Sequence, residues 1–251
     1  MEVTLLGTGA PLSPGRATLG MLFTAPGCAP LLVDTCGGFE LARRLASIGH
    51  PLKEVRNVIA THRHMDHTGG FPALFLANMP LDIYAIADAH AGIDALVAAC
   101  YPEWPPHTEV TRTVMAPDEA REIGGFRVQF FPVQHRVETV AVRVSHGGKA
   151  ITFSADSVPC DSLVEAARGA DLFICDALYA ELDSADLANH ARKLMHPVVC
   201  EAAAMARQAG AGALALVHLG RFADPANFLA EARDHFAGPV TVPDDLTKYA
   251  V

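Results

Sequence analysis

The segment Thr61-His62-Arg63-His64-Met65-Asp66-His67, followed by Thr68-Gly69-Gly70, gathers three imidazoles and a carboxylate in one short stretch. Neutral imidazole and carboxylate are zinc donors that leave coordination open for water, so the chemistry suggested is metal-assisted hydrolysis. In extended backbone, side chains two residues apart point the same way, which lets His62 and His64 grip one ion together. A turn into a following helix would swing Asp66 and His67 toward a neighbouring position. The bland alternative is a histidine-rich loop that binds nothing, and such a motif needs structural context to decide it. This cluster alone cannot close two sites, so further ligands should lie downstream at strand ends. His135 in Pro132-Val133-Gln134-His135, Asp156 in Ser154-Ala155-Asp156-Ser157 and His218 in Leu216-Val217-His218-Leu219 meet that condition. Singly, each reads as a solvated loop residue. Their shared placement after apolar runs favours ligation.

The elements that must position these residues are short and mostly apolar. Strand patterns cover Glu2–Gly7, Met21–Ala25, Leu31–Asp34, Asn57–Ala60 and Asp82–Ile86, and all but the first are nearly continuous apolar runs, as in sheets covered on both faces. Helical patterns follow at Phe39–Ile48 (with Phe39, Leu41, Leu45 and Ile48 on one side), Phe71–Asn78 and Ala87–Cys100. A second set begins with strands Phe126–Val133, Val140–Ser145 and Ala150–Phe153, the last two joined by a Gly147-Gly148 hairpin turn. Helix Ser162–Arg168, strand Leu172–Cys175, helices Ser184–Leu194 and Pro197–Gln208, strand Ala213–Val217 and helix Pro225–Phe236 complete it. Two successive β-rich halves, each ending in helices, predict an α/β protein of one domain (1–251) with two sheets packed face to face and helices outside.

Composition narrows the function classes. With 51% hydrophobic and 19% charged residues in 251, the chain is globular and can bury a large core. A net charge of -9 gives no surplus of Lys and Arg to release counterions from a polyanion, so no stable nucleic-acid complex is expected. No signal-peptide pattern opens the chain, and the apolar stretch Ala211–Val217 is far below the roughly 20 residues of a membrane span. Cys28, Cys36, Cys100, Cys160, Cys175 and Cys200 form no CxxC pair and read as reduced, mostly buried thiols of a cytoplasmic protein. His50, His90, His107, His146 and His235 read as surface residues, and His190 as an even choice between surface and pocket. Arg16, in the loop Pro11–Gly20, could touch an anionic substrate, although loop arginines usually face water.

The His-x-His-x-Asp-His motif with later His, Asp and His resembles the metallo-β-lactamase superfamily. Leu6-Gly7-Thr8-Gly9-Ala10 and Leu32-Val33-Asp34 resemble its ribonuclease Z and small-phosphodiesterase branch, and the likeness runs from Val3 to about Phe222. It implies a four-layer αββα sandwich of two mixed sheets. It also implies that His62, His64 and His135 hold one metal, Asp66, His67 and His218 the other, and Asp156 bridges them. The implied cofactors are two zinc ions, with manganese or iron(II) as substitutes, and a hydroxide between them attacks the substrate. The branch carries a His ahead of the helix leading to the last metal strand, with a carboxylate partner upstream. His196 in Met195-His196-Pro197 and Asp176 in Cys175-Asp176-Ala177 fit those places. Asp66, His196 and Asp176 are then the catalytic candidates, His196 as a general acid backed by Asp176. Pro197 and Val198 stand where the branch has Ser and Thr, which alters the surrounding hydrogen bonds.

Only about 20 residues separate His135 from Asp156, which leaves no room for the tRNA-gripping arm of ribonuclease Z, and the short interval resembles phosphodiesterase and arylsulfatase-like members instead. Two dications, two carboxylates and one hydroxide leave a formal excess of one positive charge, which suits a small anionic substrate such as a phosphodiester or sulfate ester. A lactonase of the same superfamily is the alternative; it would carry Tyr where Pro159 stands. A β-lactamase would replace Asp156 with Cys, and a flavodiiron protein would replace His64 with Glu. A non-enzymatic, metal-dependent regulator would more typically have lost ligands. The substrate pocket should be shaped by the loops Tyr101–Pro106 and Tyr179–His190, and a homodimer is compatible with the sequence.

Overall fold

The computed structural model describes residues 1–102 and 109–251, so His107 and residues 103–106 of the first candidate pocket loop lie outside the described residues. The first half runs β1 (Glu2–Gly7), β2 (Gly20–Thr24), β3 (Leu31–Thr35), α1 (Glu40–Ser47), β4 (Asn57–Ala60), α2 (Met65–Thr68), α3 (Phe71–Leu76), β5 (Leu81–Ala85), α4 (Ala87–Cys100) and β6 (Val110–Val114). The second runs β7 (Ala120–Ile123), β8 (Phe126–Val133), β9 (Thr139–His146), β10 (Lys149–Phe153), α5 (Asp161–Ala167), β11 (Leu172–Asp176), α6 (Ala185–Lys193), α7 (Val199–Ala209), β12 (Leu214–Val217), α8 (Pro225–His235), β13 (Val240–Thr241) and β14 (Lys248–Ala250).

Among the described residues these form two seven-stranded sheets, ordered β14-β1-β2-β3-β4-β5-β6 and β13-β12-β11-β10-β9-β8-β7. Both are mixed. In the first, β14, β1, β2 and β3 pair antiparallel and β3 to β6 parallel. In the second, β7 to β10 pair antiparallel and β10 to β13 parallel. The expected two-sheet sandwich is therefore present, and the Gly147-Gly148 turn closes β9 to β10 with positive φ at both residues (60° and 79°), the conformation that tight hairpins demand.

Alternation along the strands builds the layers. Phe130 and Ile174 enter a core shared by both sheets, with Val3, Leu5, Met21 and Phe23 from the first and Phe126, Val142 and Ile151 from the second. Their neighbours Phe131 and Phe173 turn to the opposite face, against Leu163 of α5, Met205 of α7 and Phe228 of α8. Leu41 and Leu45 of α1, Phe71 and Leu74 of α3 and Ile93 of α4 complete the first core. Phe39 departs from the expected stripe: it precedes α1 as its N-cap and is exposed.

Four strands had no counterpart in the sequence reading, and β6, β7, β13 and β14 are the outer strands of the two sheets. An edge strand covers one flank and can remain polar, as in Val110-Thr111-Arg112-Thr113-Val114, so it carries no apolar run to find. His90 is also corrected: it is buried, with Nε2 at 3.0 Å from the Thr113 carbonyl. All six cysteines are free, but only Cys36 and Cys175 are buried. No helix among the described residues is long and apolar enough to cross a membrane.

A clamp fixes the loop between β1 and β2. Asp245 accepts hydrogen bonds from Thr8 N (2.9 Å), Thr8 Oγ1 (2.8 Å) and Ala17 N (2.7 Å), and pairs with Arg44 Nη2 at 3.0 Å. Arg16 belongs to this clamp and not to a substrate surface: Nη1 donates to Thr8 Oγ1 and the Pro243 carbonyl, both at 2.6 Å, and Nη2 pairs with Asp244 at 3.0 Å.

Behind the His-rich segment, Thr35 Oγ1 donates to the His67 carbonyl (2.8 Å) and accepts from Gly70 N (3.0 Å). This contact requires glycine, because a Cβ on Gly70 would stand 2.2 Å from the Thr35 carbonyl oxygen. Gly70→Ala is expected to cost about 1–3 kcal/mol in chemical denaturation and to reduce bound metal, since relief of the clash moves α2. Gly147→Ala, with no atom within 4 Å of its Cβ, should cost about 1–2 kcal/mol from backbone strain alone and leave metal content intact.

Candidate metal centre

Most of the sequence-predicted site residues sit at or just beyond the C-terminal end of a strand, whereas His196 lies in the turn between α6 and α7. His62 follows β4, His135 follows β8, Asp156 follows β10, Asp176 ends β11 and His218 follows β12. His64 is the extended N-cap of the one-turn helix α2, which carries Asp66 and His67 to a second position, as the turn in the motif anticipated. Parallel strands aim their C-terminal ends alike, so the loops beyond them converge on one edge of the sandwich.

The side chains meet in three overlapping groups, His62, His64, His135 and Asp156 in the first, Asp66, His67, Asp156 and His218 in the second, and Asp156, Asp176, His196 and His218 in the third, each with donor atoms within 4.8 Å of one another. In the first, His64 Nδ1 lies 3.1 Å from His62 Nε2 and 3.3 Å from His135 Nε2. In the second, His67 Nε2 lies 3.2 Å from Asp156 Oδ1, and His218 Nε2 lies 3.3 Å from Asp66 Oδ2. Asp156 is common to all three: its Oδ2 stands 3.7 Å from His62, His135 and His218 Nε2 alike.

The outward nitrogens decide which lone pairs face in. Asp34 Oδ2 can only accept, so His67 Nδ1 donates to it at 2.7 Å and presents Nε2 to the cluster. Asp34 also accepts from Thr61 N (2.9 Å) and Thr61 Oγ1 (2.9 Å). With its proton committed there, Thr61 Oγ1 accepts from His62 Nδ1 at 3.0 Å, which again leaves Nε2 inward. His135 Nδ1 donates to the Met195 carbonyl at 3.2 Å. Asp34 thus sets the orientation of two candidate ligands, and the sequence reading missed that role. Its place at the end of an apolar strand, the same signal used for Asp156, was available.

Burial holds the His62, His64 and His135 rings below their ordinary pKa, which favours the neutral form a metal needs. For Asp66 and Asp156 burial acts upward, but His67 and His218 outweigh it and hold both carboxyls low. His67 and His218 respond in the opposite sense: burial acts downward, Asp156 and its neighbouring carboxylates prevail, and His218 is pushed up to about 10. Fixed inward lone pairs and carboxylates that attract positive charge form a donor set suited to dications. His67 Nε2 and Asp156 Oδ1 also fit one: both are buried and have no hydrogen-bond partner.

The remaining candidates form one wall. His196 Nδ1 donates to Asp176 Oδ2 at 2.7 Å, and the other Asp176 oxygen lies 3.3 Å from His218 Nδ1. The His196 ring stacks on His218 (4.8 Å, 20°) and meets His135 edge-on (5.0 Å, 62°). Pro11, Arg136 and Leu194 line the cavity with the ligands and His196. His190 is exposed on α6, and Leu194 takes the place at the cavity that the Tyr179–His190 loop was expected to fill. Backbone strain gathers here too, with positive φ at Asp34 (56°), Ala155 (52°), Met195 (63°) and His218 (62°).

A two-sheet sandwich with paired His/Asp groups at one edge defines a metallo-β-lactamase-fold hydrolase. The family model described as a Beta-lactamase superfamily domain matches residues 30–219, and the chain belongs to that superfamily. It is 30% identical over 254 residues to the probable metallo-hydrolase YhfI of Bacillus subtilis, covering 96% of each chain. The crystal structure of YhfI matches with a TM-score of 0.84 at 27% identity, over 99% of this chain and 98% of that one. A ribonuclease Z of Mycobacterium bovis is 28% identical over 280 residues, covering 100% of this chain and 98% of the relative. A diphosphatase of the PhnP family shares the fold, with a TM-score of 0.77 at 18% identity over 99% of this chain and 97% of that one.

Metal analysis of the purified protein should find close to two divalent ions per chain, and Asp156→Ala should lose at least one. Asp34→Asn should keep the fold and lower metal affinity about 10–100-fold in a chelator titration, because it weakens the acceptor that orients His67 and Thr61. Full metal occupancy in Asp156→Ala would remove that residue from the ligand set.

Proposed function

We propose that the chain is a binuclear metal-dependent hydrolase of phosphodiesters, acting on a small molecule or nucleotide. The observation that carries this reading is the His196–Asp176 pair at 2.7 Å, with His196 on the wall of a cavity that His64, Asp66, His135, Asp156 and His218 also line. His62, His64, His135, Asp66, His67 and His218 would hold the metals, with Asp156 shared between them. Two dications at these positions would lower the pKa of a water and stabilise charge on the phosphoryl oxygens. The names of the ribonuclease Z and diphosphatase relatives support phosphorus as the reacting centre.

The chain's own residues then have separate tasks. Asp176 holds His196 by Nδ1, so Nε2 is the nitrogen left to serve the cavity, where it delivers a proton to the departing oxygen. Packing between the His135 and His218 rings keeps the imidazole from turning away. Asp34, through Thr61 and His67, keeps the ligand nitrogens facing inward. Pro11 and Leu194 contribute apolar surface that limits access of bulk water.

A chromogenic aryl phosphodiester should be cleaved faster than a lactone or a cephalosporin, and pre-tRNA processing should be absent or feeble in a gel assay. Efficient lactone opening without phosphodiesterase activity would overturn the assignment.

Leaving-group dependence tests His196. A nitrophenolate departs readily as an anion, whereas an alkyl or ribose alkoxide needs a proton. His196→Ala should keep both metals, lose little on the aryl ester and lose about 10²–10⁴-fold on an alkyl or ribose diester. Asp176→Asn should show the same selectivity at smaller size. Equal slowing of both leaving groups would instead assign His196 to charge stabilisation at the phosphoryl oxygens.

A further inference from the structure

Among the described residues that line the cavity, Arg136 is the one permanent cation. The chain carries 28 acidic residues against 19 Lys and Arg, and nine of its arginines are paired with carboxylates. Arg136 is not. Among the described residues its hydrogen-bond partner is the Lys193 carbonyl, reached by Nη2 at 2.9 Å. That bond tethers the exposed guanidinium to the end of α6, and among the described residues no carboxylate is paired with it and most of its five N–H donors are uncommitted. A guanidinium held in this way is prepared for two parallel bonds to a phosphate.

Its place along the wall says which part of a substrate it would meet. The segments His135–Arg136 and Lys193–His196 run side by side: Arg136 contacts Lys193, His135 Nδ1 contacts the Met195 carbonyl at 3.2 Å, and the His135 and His196 rings are 5.0 Å apart. His196 serves the departing oxygen, so the departing group lies against this wall. Leu194 also lines the cavity, and in the chain it stands between the Lys193 carbonyl that Arg136 contacts and His196. From the reacting centre outward, the wall thus offers a proton donor, an apolar side chain and a fixed cation.

We propose that Arg136 and Leu194 form a leaving-group subsite for an alcohol or nucleoside that itself carries a phosphate, so that the preferred substrate is a phosphodiester with a second phosphate on the departing side. This rests on the phosphodiesterase reading and refines its substrate class. Leu194 packs against the carbon skeleton of the leaving group, and Arg136 takes its terminal phosphate. A contact made equally before and during reaction changes substrate binding more than turnover, so the effect falls mainly on KM.

The test compares dithymidylate with free terminal hydroxyls against the same compound phosphorylated at both ends, using metal-loaded protein, with bis(p-nitrophenyl) phosphate as a third substrate. Wild type should prefer the phosphorylated dinucleotide in kcat/KM by about 10–100-fold, the scale of charged hydrogen bonds to a phosphate. Arg136→Gln should remove most of that preference through KM. Arg136→Lys should restore part of it, since the charge returns without the planar fork. The subsite is wrong if wild type shows no preference, or if the preference survives Arg136→Gln, while bis(p-nitrophenyl) phosphate is still hydrolysed. Failure of wild type to cleave any of the three substrates would instead defeat the phosphodiesterase reading and the subsite with it.

Discussion

Asp34 has no contact with water, and a carboxylate in that position must find enough donors to offset the loss of its hydration. It finds Thr61 twice and His67 once. Those bonds fix the start of the His-rich segment and the ring that ends it, and through the Thr61 hydroxyl they reach His62 as well. A segment of this composition would otherwise be a mobile polar loop. Tied at both ends to one buried acid, it becomes a rigid set of inward-facing nitrogens. The strain at Asp34 itself, with φ at 56°, belongs to the same arrangement, since the strand must bend to bring its carboxylate across to the neighbouring loop.

The second sheet repeats the device. Val33 on β3 is paired with Ile59 on β4; Asp34 is the next residue of β3, and the Thr61-His62 dipeptide follows β4. Asp176 on β11 is paired with Val217 on β12, and His218 follows. In each sheet a carboxylate on one parallel strand reaches toward the histidine that leaves the next, Asp34 through the Thr61 hydroxyl and Asp176 directly. The arrangement differs in what else the acid does: Asp34 orients two candidate ligands, whereas Asp176 divides its oxygens between His218 and His196. Under the proposed function the first acid would serve metal binding alone, and the second would join metal binding to proton delivery.

Much of this was legible in the sequence, for reasons that can be named. Ligand types are chemically restrictive, so His62, His64, Asp66, His67, His135, Asp156 and His218 could be picked out before their positions were known, and the structure brings all of them to one place. Buried parallel strands announce themselves as apolar runs, and β4, β11 and β12 start within a residue of where the pattern placed them. Edge strands such as β6 and β14 have no such obligation and were invisible. Arg16 misled because a charge in a glycine-rich loop carries no mark of its partners; Asp244 and the Pro243 carbonyl lie more than 200 positions away in the chain. Asp34 was hidden for a related reason: an acid at a strand end shows that it is placed, not which donors it receives.

Because Asp156 leaves the second sheet and meets His62 and His67 from the first, anything bound among them joins the two sheets as a rivet joins two plates. Such a ligand binds the closed sandwich and not the unfolded chain, so its binding free energy adds to folding. Without it, the Asp156 and Asp66 carboxylates and several imidazoles face one another across the seam, and the edge loses that contribution to its closure. Proteases act on chains that open, at a rate set by how often they open. The lifetime of this protein in a cell would then follow the supply of divalent metal, and scarcity would lower its amount as well as its activity.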